Sequence, residues 1–321
     1  MSDFLDPENS YNPWDLKELK YEGELYHYTY VDACRGIFCH TDCPNYPSNS
    51  ISLRFKRIDQ MAQKNDPNER KHINHAIKKL ARQLFKHGKI SEDFLKIICD
   101  YEPTGRGLYR LALDKKDTQF CEPIVQTEFG PVDYYVACFS TNPNNEHIVK
   151  EFKTSVRITF NSEFSRRCTD PFSRASFQVG SSGRVFDCSN SIYPLDSIRK
   201  CLLDTYLRQV EYVDTSADEN DIKSELIEQK LLNIFEQHQN KLRTETVQEE
   251  IEDMYSLCDA FIKDISYKLE EEVRFVIRLP EKEYFLKKYG QFPKLLTDNY
   301  FVFDKAWTYL QLPISEEFVA L

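Results

Sequence analysis

The sequence lacks the segments that carry a chain into or across a membrane. No apolar run approaches the roughly 18–20 residues that are needed to span a bilayer. Residues 1–6 are acidic at positions 3 and 6, and they lack the basic and then apolar order of a signal peptide. We therefore expect a cytoplasmic protein without membrane contact.

An excess of positive charge is also missing. The formal net charge of -10 argues against a general nucleic-acid coat, which needs a surplus of Lys and Arg. A local basic groove is still compatible with this balance, because residues 70–89 contain several Lys and Arg and no acid. By default such a stretch is a solvated helix face, and contact with a nucleic acid is the alternative.

Several standard site motifs are absent from the sequence. The glycine-containing segment 180–184, Gly-Ser-Ser-Gly-Arg, lacks the lysine of a phosphate-binding loop. Neither His-Glu-x-x-His nor Gly-x-Ser-x-Gly occurs. The 10 cysteines are scattered, and the one cluster, at positions 34, 39 and 43 with His40, lacks paired Cys-x-x-Cys spacing. We expect small core thiols and no metal.

What the chain does contain is strand-like alternation interrupted by two helical segments. Residues 24–29, 51–55, 134–140, 156–160, 177–179 and 210–213 read as strands, and residues 31–38 as a short helix. Asp66, Pro67 and Glu69 suit a helix start that opens a basic helical insertion over 66–100. Apolar residues at helical spacing predict two acidic helices within 216–265. The fold class predicted is α+β, with residues 1–321 as a single domain.

Residues 267–277 read as a late strand that opens on a group of carboxylates. Strand alternation predicts that Val273, Phe275 and Ile277 face the core. Glu270, Glu272 and Arg274 should then share the other face. Two acids and an arginine on one face form a polar site that suits a positively charged transition state. A solvated strand edge is the structural alternative.

Three groups predicted on strands follow one another along the chain: His27, Ser140 and Glu272. This order resembles that of the mono-ADP-ribosyltransferases. Residues 138–141, Cys-Phe-Ser-Thr, resemble their second motif, and residues 270–272 are similar to their Glu-x-Glu motif, whose second acid is catalytic. The resemblance implies a split, strongly twisted sheet of the ADP-ribosyltransferase type and NAD as co-substrate.

Most of the chain also resembles an uncharacterised bacterial domain family found near phage-defence genes. The matching motifs are Leu-Tyr-His-Tyr-Thr at 25–29, Asn-Asp-Pro-x-Glu at 65–69 and Glu-x-Glu-x-Arg at 270–274. Tyr267 stands where that family has Trp. Asn142 stands where many transferases have a second Ser. The resemblance implies a toxin or an effector of phage defence, with an antitoxin or chaperone as a possible partner.

The resemblance also implies residue roles. Glu272 would stabilise the positive ribose, and Glu270 would orient or deprotonate the acceptor. The NAD-binding candidates are the strand residues His27, Tyr28 and Thr29, together with Ser140, Arg54 and Arg274, and the two arginines would contact pyrophosphate. A hydrogen-bonded structural role for the histidine, and an ordinary strand-end role for the serine, are the alternatives. The enzymatic reading requires the imidazole and the acid to converge on one cleft.

Other functions remain open at this point. The acceptor can be a protein, RNA or DNA. The domain can instead be a non-catalytic module that binds a nucleotide or a partner within a defence system. A metal-dependent nuclease is a third interpretation, since Asp264 accompanies Glu270 and Glu272, but it needs Glu-x-Lys, and neither of these glutamates has a lysine two residues later.

Overall fold

The computed structural model describes residues 21–39, 49–58, 69–103, 107–113, 126–169, 204–240, 242, 245–280, 302–303 and 309–320. The helices are α1 (Val31–Cys39), α2 (Glu69–Lys86), α3 (Glu92–Asp100), α4 (Glu146–Phe152), α5 (Ser162–Thr169), α6 (Glu225–His238) and α7 (Glu245–Phe261). Short 3-10 helices cover Ile265–Glu270 and Glu316–Phe318. The strands are β1 (Leu25–Thr29), β2 (Ser50–Arg57), β3 (Gly107–Leu113), β4 (Gln126–Ser140), β5 (Val156–Phe160), β6 (Asp204–Gln209), β7 (Glu211–Val213), β8 (Ile262–Asp264), β9 (Glu272–Pro280), β10 (Val302–Phe303), β11 (Tyr309–Ser315) and β12 (Val319–Ala320).

Within the described ranges, the strands form a ten-stranded antiparallel sheet and a separate two-stranded parallel ribbon, β7–β8. One path through the large sheet runs β10-β11-β2-β4-β1-β5-β12, while β3 and β9 also pair with β4, and β6 pairs with β9. An antiparallel sheet with helices packed on it confirms the predicted α+β class. The interpretation of residues 1–321 as one domain stays a prediction.

The central strand β4 pairs with β9 along one edge and with two strands, β1 and β2, along the other edge. Strand β9 pairs with β4 along residues 132–140. On the other edge, β2 pairs at Tyr135 and Val136, and β1 pairs at Ser140. The strands β1 and β2 therefore diverge along β4, and the sheet is split there into two arms.

Two apolar cores cover the opposite faces of this sheet. Alternation sends Tyr135, Ala137 and Phe139 of β4 into a core that they share with Val273 and Phe275 of β9. Both arms of the split sheet and α5 contribute to that core. The neighbouring residues Tyr134, Val136 and Val276 face a second core, which is made by α2, α3, α6 and α7. The predicted burial of Val273, Phe275 and Ile277 is confirmed, since each is fully buried.

Helices predicted within both segments are present as α2, α3, α6 and α7, and the two segments pack together, although residues 216–224 and 262–265 of the acidic segment are not α-helical. The apolar stripe of α2, Ile73, Ile77, Leu80 and Leu84, is buried. Lys86 and Lys89 of the basic segment reach Glu219 and Glu228 of the acidic segment, at 2.7 Å in each case. Acidic side chains of the same protein therefore neutralise part of the basic surface, although the lysine side chains stay 55% and 48% exposed.

Local features explain where several helices begin. Ser91, Asn145 and Ser224 are N-cap residues, and their side-chain oxygens accept the N–H groups of Phe94, Ile148 and Ile227. The predicted cap at Asp66, the predicted strand over 177–179 and two members of the cysteine cluster, His40 and Cys43, lie outside the described residues.

The prediction of helix as far as residue 265 was wrong. Helix α7 ends at Phe261, and the chain continues into β8 because Ile262–Asp264 pairs in parallel with Glu211–Val213. Ile265 was expected in the apolar stripe, but it is 44% exposed at the start of a 3-10 helix. Among the residues described, no helix combines the length and the apolar character required to cross a lipid bilayer.

Candidate active site

Ser140 and Glu272 are direct neighbours across two strands. Ser140 is the last residue of β4 and Glu272 is the first of β9, and the register pairs their Cα atoms. Opposite residues of an antiparallel pair place their side chains on the same face. Both residues are almost fully buried. The structure therefore brings these two predicted site residues together.

The Glu272 carboxylate lies between two cations. Its Oε1 atom accepts the Nε–H of Arg274 at 3.0 Å, and its Oε2 atom lies 2.8 Å from Nζ of Lys263. Burial raises the pKa of this carboxyl, but the positive charges of Arg274 and Lys263 lower it by more than burial raises it. The net pKa is therefore well below the usual range. Glu272 is thus a buried acid that stays ionised.

The main chain of Glu272 is fixed as firmly as its side chain. Its N–H donates to the phenolic oxygen of Tyr212 at 2.8 Å. Its carbonyl oxygen accepts the N–H of Val210 at 3.0 Å. With backbone and carboxylate both held, the position of the acid at the start of β9 is rigidly defined.

Glu270 lies near Glu272, as predicted, but it does not belong to the same strand. It was expected two positions before Glu272 on one strand, but it ends the 3-10 helix Ile265–Glu270. Glu271 follows in the left-handed region, with φ of 47°, so β9 begins only at Glu272. The Glu270 carboxylate nevertheless lies 2.6 Å from Nζ of Lys263.

The two acids have pKa values shifted in opposite directions. Burial and the nearby charge of Glu272 raise the pKa of Glu270, and Lys263 only partly offsets this rise. Paired carboxylates with environments that separate their pKa values are a common arrangement in acid–base catalysis. Glu270 is accordingly the member of the pair that binds a proton more readily.

Lys263 and Tyr212 are site residues that the sequence analysis missed. They are neighbours in the ribbon β7–β8, where the register pairs Tyr212 with Lys263. The expected Glu-x-Lys lysine is absent from the sequence around these acids, but in the fold Lys263 contacts both of them. The extended conformation of residues 262–264 directly after α7 is the feature that brings Lys263 there. A helical pattern that continued to residue 265 concealed it.

Ser140 organises the loop that follows β4. Its hydroxyl donates to the carbonyl oxygen of Glu270 at 2.9 Å, and it accepts the N–H of Asn142 and the side-chain amide of Asn145, each at 3.2 Å. The Asn145 amide also donates to the carbonyl oxygen of Leu269 at 2.9 Å. These bonds use one donor and two acceptor positions of the hydroxyl, so Ser140 supports the Glu270 backbone.

Tyr28 belongs to the same network. Its hydroxyl donates to the carbonyl oxygen of Asn142 at 2.7 Å and accepts the N–H of Asn145 at 2.9 Å. Tyr28 therefore joins Asn142 to Asn145, the two residues of this loop that also bond to Ser140. Asn145 was not singled out from the sequence, although its position before a helical segment is the signal of an N-cap.

His27 lies on the other face of the sheet from Glu272. The register pairs Tyr26 with Ser140, so the next residue, His27, projects to the opposite side, where its ring lies 5.7 Å from that of Phe139. Its Nδ1 atom is 3.0 Å from the carbonyl oxygen of Cys138. A carbonyl only accepts, so Nδ1 carries the proton. Burial lowers the pKa of His27, which favours the neutral ring.

The expected convergence of the imidazole and the acid on one face is therefore wrong. His27 bonds to β4 where β1 and β2 diverge, and this position favours the structural alternative for it. Thr29, two residues later, is buried at the end of β1, and its carbonyl oxygen accepts the N–H of Ser155.

The two arginines proposed as phosphate ligands differ in burial. The Arg274 guanidinium is buried, and besides Glu272 it donates to the carbonyl oxygens of Ala260 and Asp259. These contacts occupy the groups that a pyrophosphate would need, so the structure argues against that role. Arg54 is exposed on β2, and its guanidinium lies 4.5 Å from the ring centre of Tyr309.

Comparison with protein-family models, with curated proteins and with solved structures returned no match. Within the described ranges, no group of three or more His, Cys, Asp or Glu side chains is arranged to hold a metal ion.

Proposed function

We propose that the protein is an NAD-dependent mono-ADP-ribosyltransferase with Glu272 as its central catalytic residue. The observation that carries the proposal is the pair of buried carboxylates, Glu270 and Glu272, whose pKa values are shifted in opposite directions beside Ser140. An acid that stays ionised next to one that accepts a proton supplies the two functions that the transfer reaction needs.

The reaction breaks the bond between nicotinamide and the C1′ atom of its ribose. The bonding electron pair leaves with nicotinamide, and positive charge develops on the ribose, as in glycoside hydrolysis. The ionised Glu272 stabilises that charge. The acceptor then bonds to C1′, and the proton that it loses passes to the Glu270 carboxylate.

The divergence of β1 and β2 along β4 supports an ADP-ribosyltransferase type of sheet, because a split core is what the resemblance implies. The proposal keeps Tyr28 and Ser140 as residues that position the loop beside the acids. The convergence of His27 with Glu272, on which the enzymatic interpretation depended, is not found, so the proposal rests on the two acids and assigns His27 to joining β1 with β4. Arg54 remains the candidate for a pyrophosphate contact, because its side chain is exposed.

A role as a toxin or as an effector of phage defence belongs to the same proposal and rests on the resemblance alone. The acceptor is a protein or a nucleic acid. The ion pairs between the basic and acidic helical segments reduce the basic surface that RNA or DNA needs. On these grounds the proposal favours a protein acceptor over a nucleic acid.

The test measures release of nicotinamide from NAD, which needs no knowledge of the acceptor. We expect release by the wild-type protein and its loss in Glu272→Gln. The matched control is Glu271→Gln, an adjacent and exposed carboxylate whose side chain contacts Thr141 and Asn142. Rates are expressed per folded molecule, because Glu272 also balances two buried cations. Equal rates for the wild-type protein and Glu272→Gln would remove the proposal.

A second candidate is a non-catalytic module that binds a nucleotide or a partner. The observation that favours it is the enclosure of Glu272, whose side chain is only 5% exposed and is neutralised by Lys263 and Arg274. Calorimetric titration with NAD separates the two functions. Binding without any release of nicotinamide supports the second candidate, whereas binding with release supports the transferase.

A further inference from the structure

The ribbon β7–β8 presents two polar side chains to the start of β9. Tyr212 and Lys263 are paired in its register. The Tyr212 hydroxyl holds the N–H of Glu272, and the Lys263 ammonium lies beside the Glu272 carboxylate. A separate element of structure thus contacts one acid through both its main chain and its side chain.

Lys263 is the cation that contacts both acids. Its Nζ atom lies 2.6 Å from Oε2 of Glu270 and 2.8 Å from Oε2 of Glu272, and its side chain is 12% exposed. Arg274 contacts Glu272 and two helix carbonyls. The two cations therefore differ in function, since Lys263 bridges the carboxylates and Arg274 fixes only one of them.

The charged and titratable groups around Lys263 come from four elements. They are Glu270 and Tyr267 of the 3-10 helix, Glu272 and Arg274 of β9, Cys138 of β4 and Tyr212 of β7. Burial by itself disfavours an ammonium group, but the two carboxylates outweigh that effect and raise the pKa of Lys263. The lysine therefore remains charged between the acids.

We propose that Lys263 is a positioning residue, whose ammonium holds the Glu270 and Glu272 carboxylates together and sets the proton affinity of Glu270. Without this cation the two acids would repel each other, and Glu270 would take up a proton to relieve the repulsion. The consequence for NAD cleavage rests on the proposed transferase function. The coupling between Lys263 and Glu270 does not.

The direct test is a titration of the Glu270 carboxyl carbon by NMR, with its signal assigned by comparison with Glu270→Gln. In Lys263→Met we expect the titration midpoint to rise by at least one pH unit, a tenfold increase in proton affinity. Lys263→Arg, which keeps the charge, should leave the midpoint near that of the wild-type protein. A midpoint that does not move in Lys263→Met overturns the proposal, because a purely structural lysine would give that result.

Rescue of folding provides a second test if Lys263→Met does not fold alone. The double variant Lys263→Met/Glu270→Gln removes one charge of each sign, and we expect it to fold. Its equilibrium constant for folding should exceed that of Lys263→Met at least tenfold, whereas Lys263→Met/Glu271→Gln should give no rescue. Failure of the first double variant to fold overturns the proposal.

Both readouts are independent of turnover. If the coupling is found and the wild-type protein releases no nicotinamide, only the transferase function fails. If nicotinamide is released and the coupling is absent, only the role of Lys263 fails.

Discussion

Replacing Arg274 by Met tests how much the buried charge cluster contributes to stability. The guanidinium is 3% exposed and donates to the Glu272 carboxylate and to the carbonyl oxygens of Ala260 and Asp259. Methionine matches much of the volume but provides no donor and no charge. The change therefore leaves an anion and two carbonyl groups with fewer partners inside the protein.

The expected loss follows from the degree of burial. Removing one partner of a buried ion pair costs about 3–5 kcal/mol, because the remaining charge is desolvated without compensation. Lys263 still faces Glu272 at 2.8 Å, so we expect the lower end of that range. A native protein is stable by roughly 5–15 kcal/mol, so the variant should fold but unfold at a clearly lower urea concentration.

Urea unfolding followed by circular dichroism measures this loss. The matched control is Arg166→Met, since Arg166 pairs with Glu163 on the surface, where its side chain is 53% exposed. An exposed pair contributes about 0–1 kcal/mol, so the control should unfold close to the wild-type midpoint. A loss in Arg274→Met no larger than that of the control would refute the view that buried charge holds this site together.

Two further predictions concern the loop after β4 and the second acid. Asn145→Ala removes both a helix N-cap and the amide bonds to Ser140 and Leu269, so urea unfolding should show a loss of about 1–3 kcal/mol. The pKa of Glu270 is higher in the folded state than in the unfolded state. The protonated Glu270 therefore contributes fully to stability at a pH below its unfolded-state pKa, and this contribution is lost as the pH rises through its folded-state pKa. Unfolding free energies of Glu270→Gln relative to the wild-type protein should therefore increase from about pH 4.3 upward, and a difference independent of pH would contradict this assignment.

Much of the sheet could be predicted from the sequence, because alternation of apolar and polar residues is a local signal. The strand over 156–160 has the predicted bounds, and the strand predicted over 24–29 begins one residue later, at Leu25. Caps are also local, and for that reason helix starts are easier to predict than the path that follows a helix. The three residues of β8 have no such signal, since their strand exists only through pairing with β7.

The composition of the site could be predicted only in part. Ser140 and Glu272 were identified, and their pairing depends on the β4–β9 register, which a single sequence does not encode locally. The run of three glutamates at 270–272 gives no sign that Glu271 adopts a left-handed conformation. The face on which His27 lies also depends on register, because a shift of one residue reverses it.

The most direct test of the central claim is the rate of nicotinamide release from NAD, compared between the wild-type protein and Glu272→Gln per folded molecule. The loss of one electrostatic stabiliser of a charged transition state typically lowers the rate by about 10²–10³-fold, and we predict a ratio of that order. A ratio near one, or no release by the wild-type protein, would contradict the assignment of Glu272 as the catalytic carboxylate.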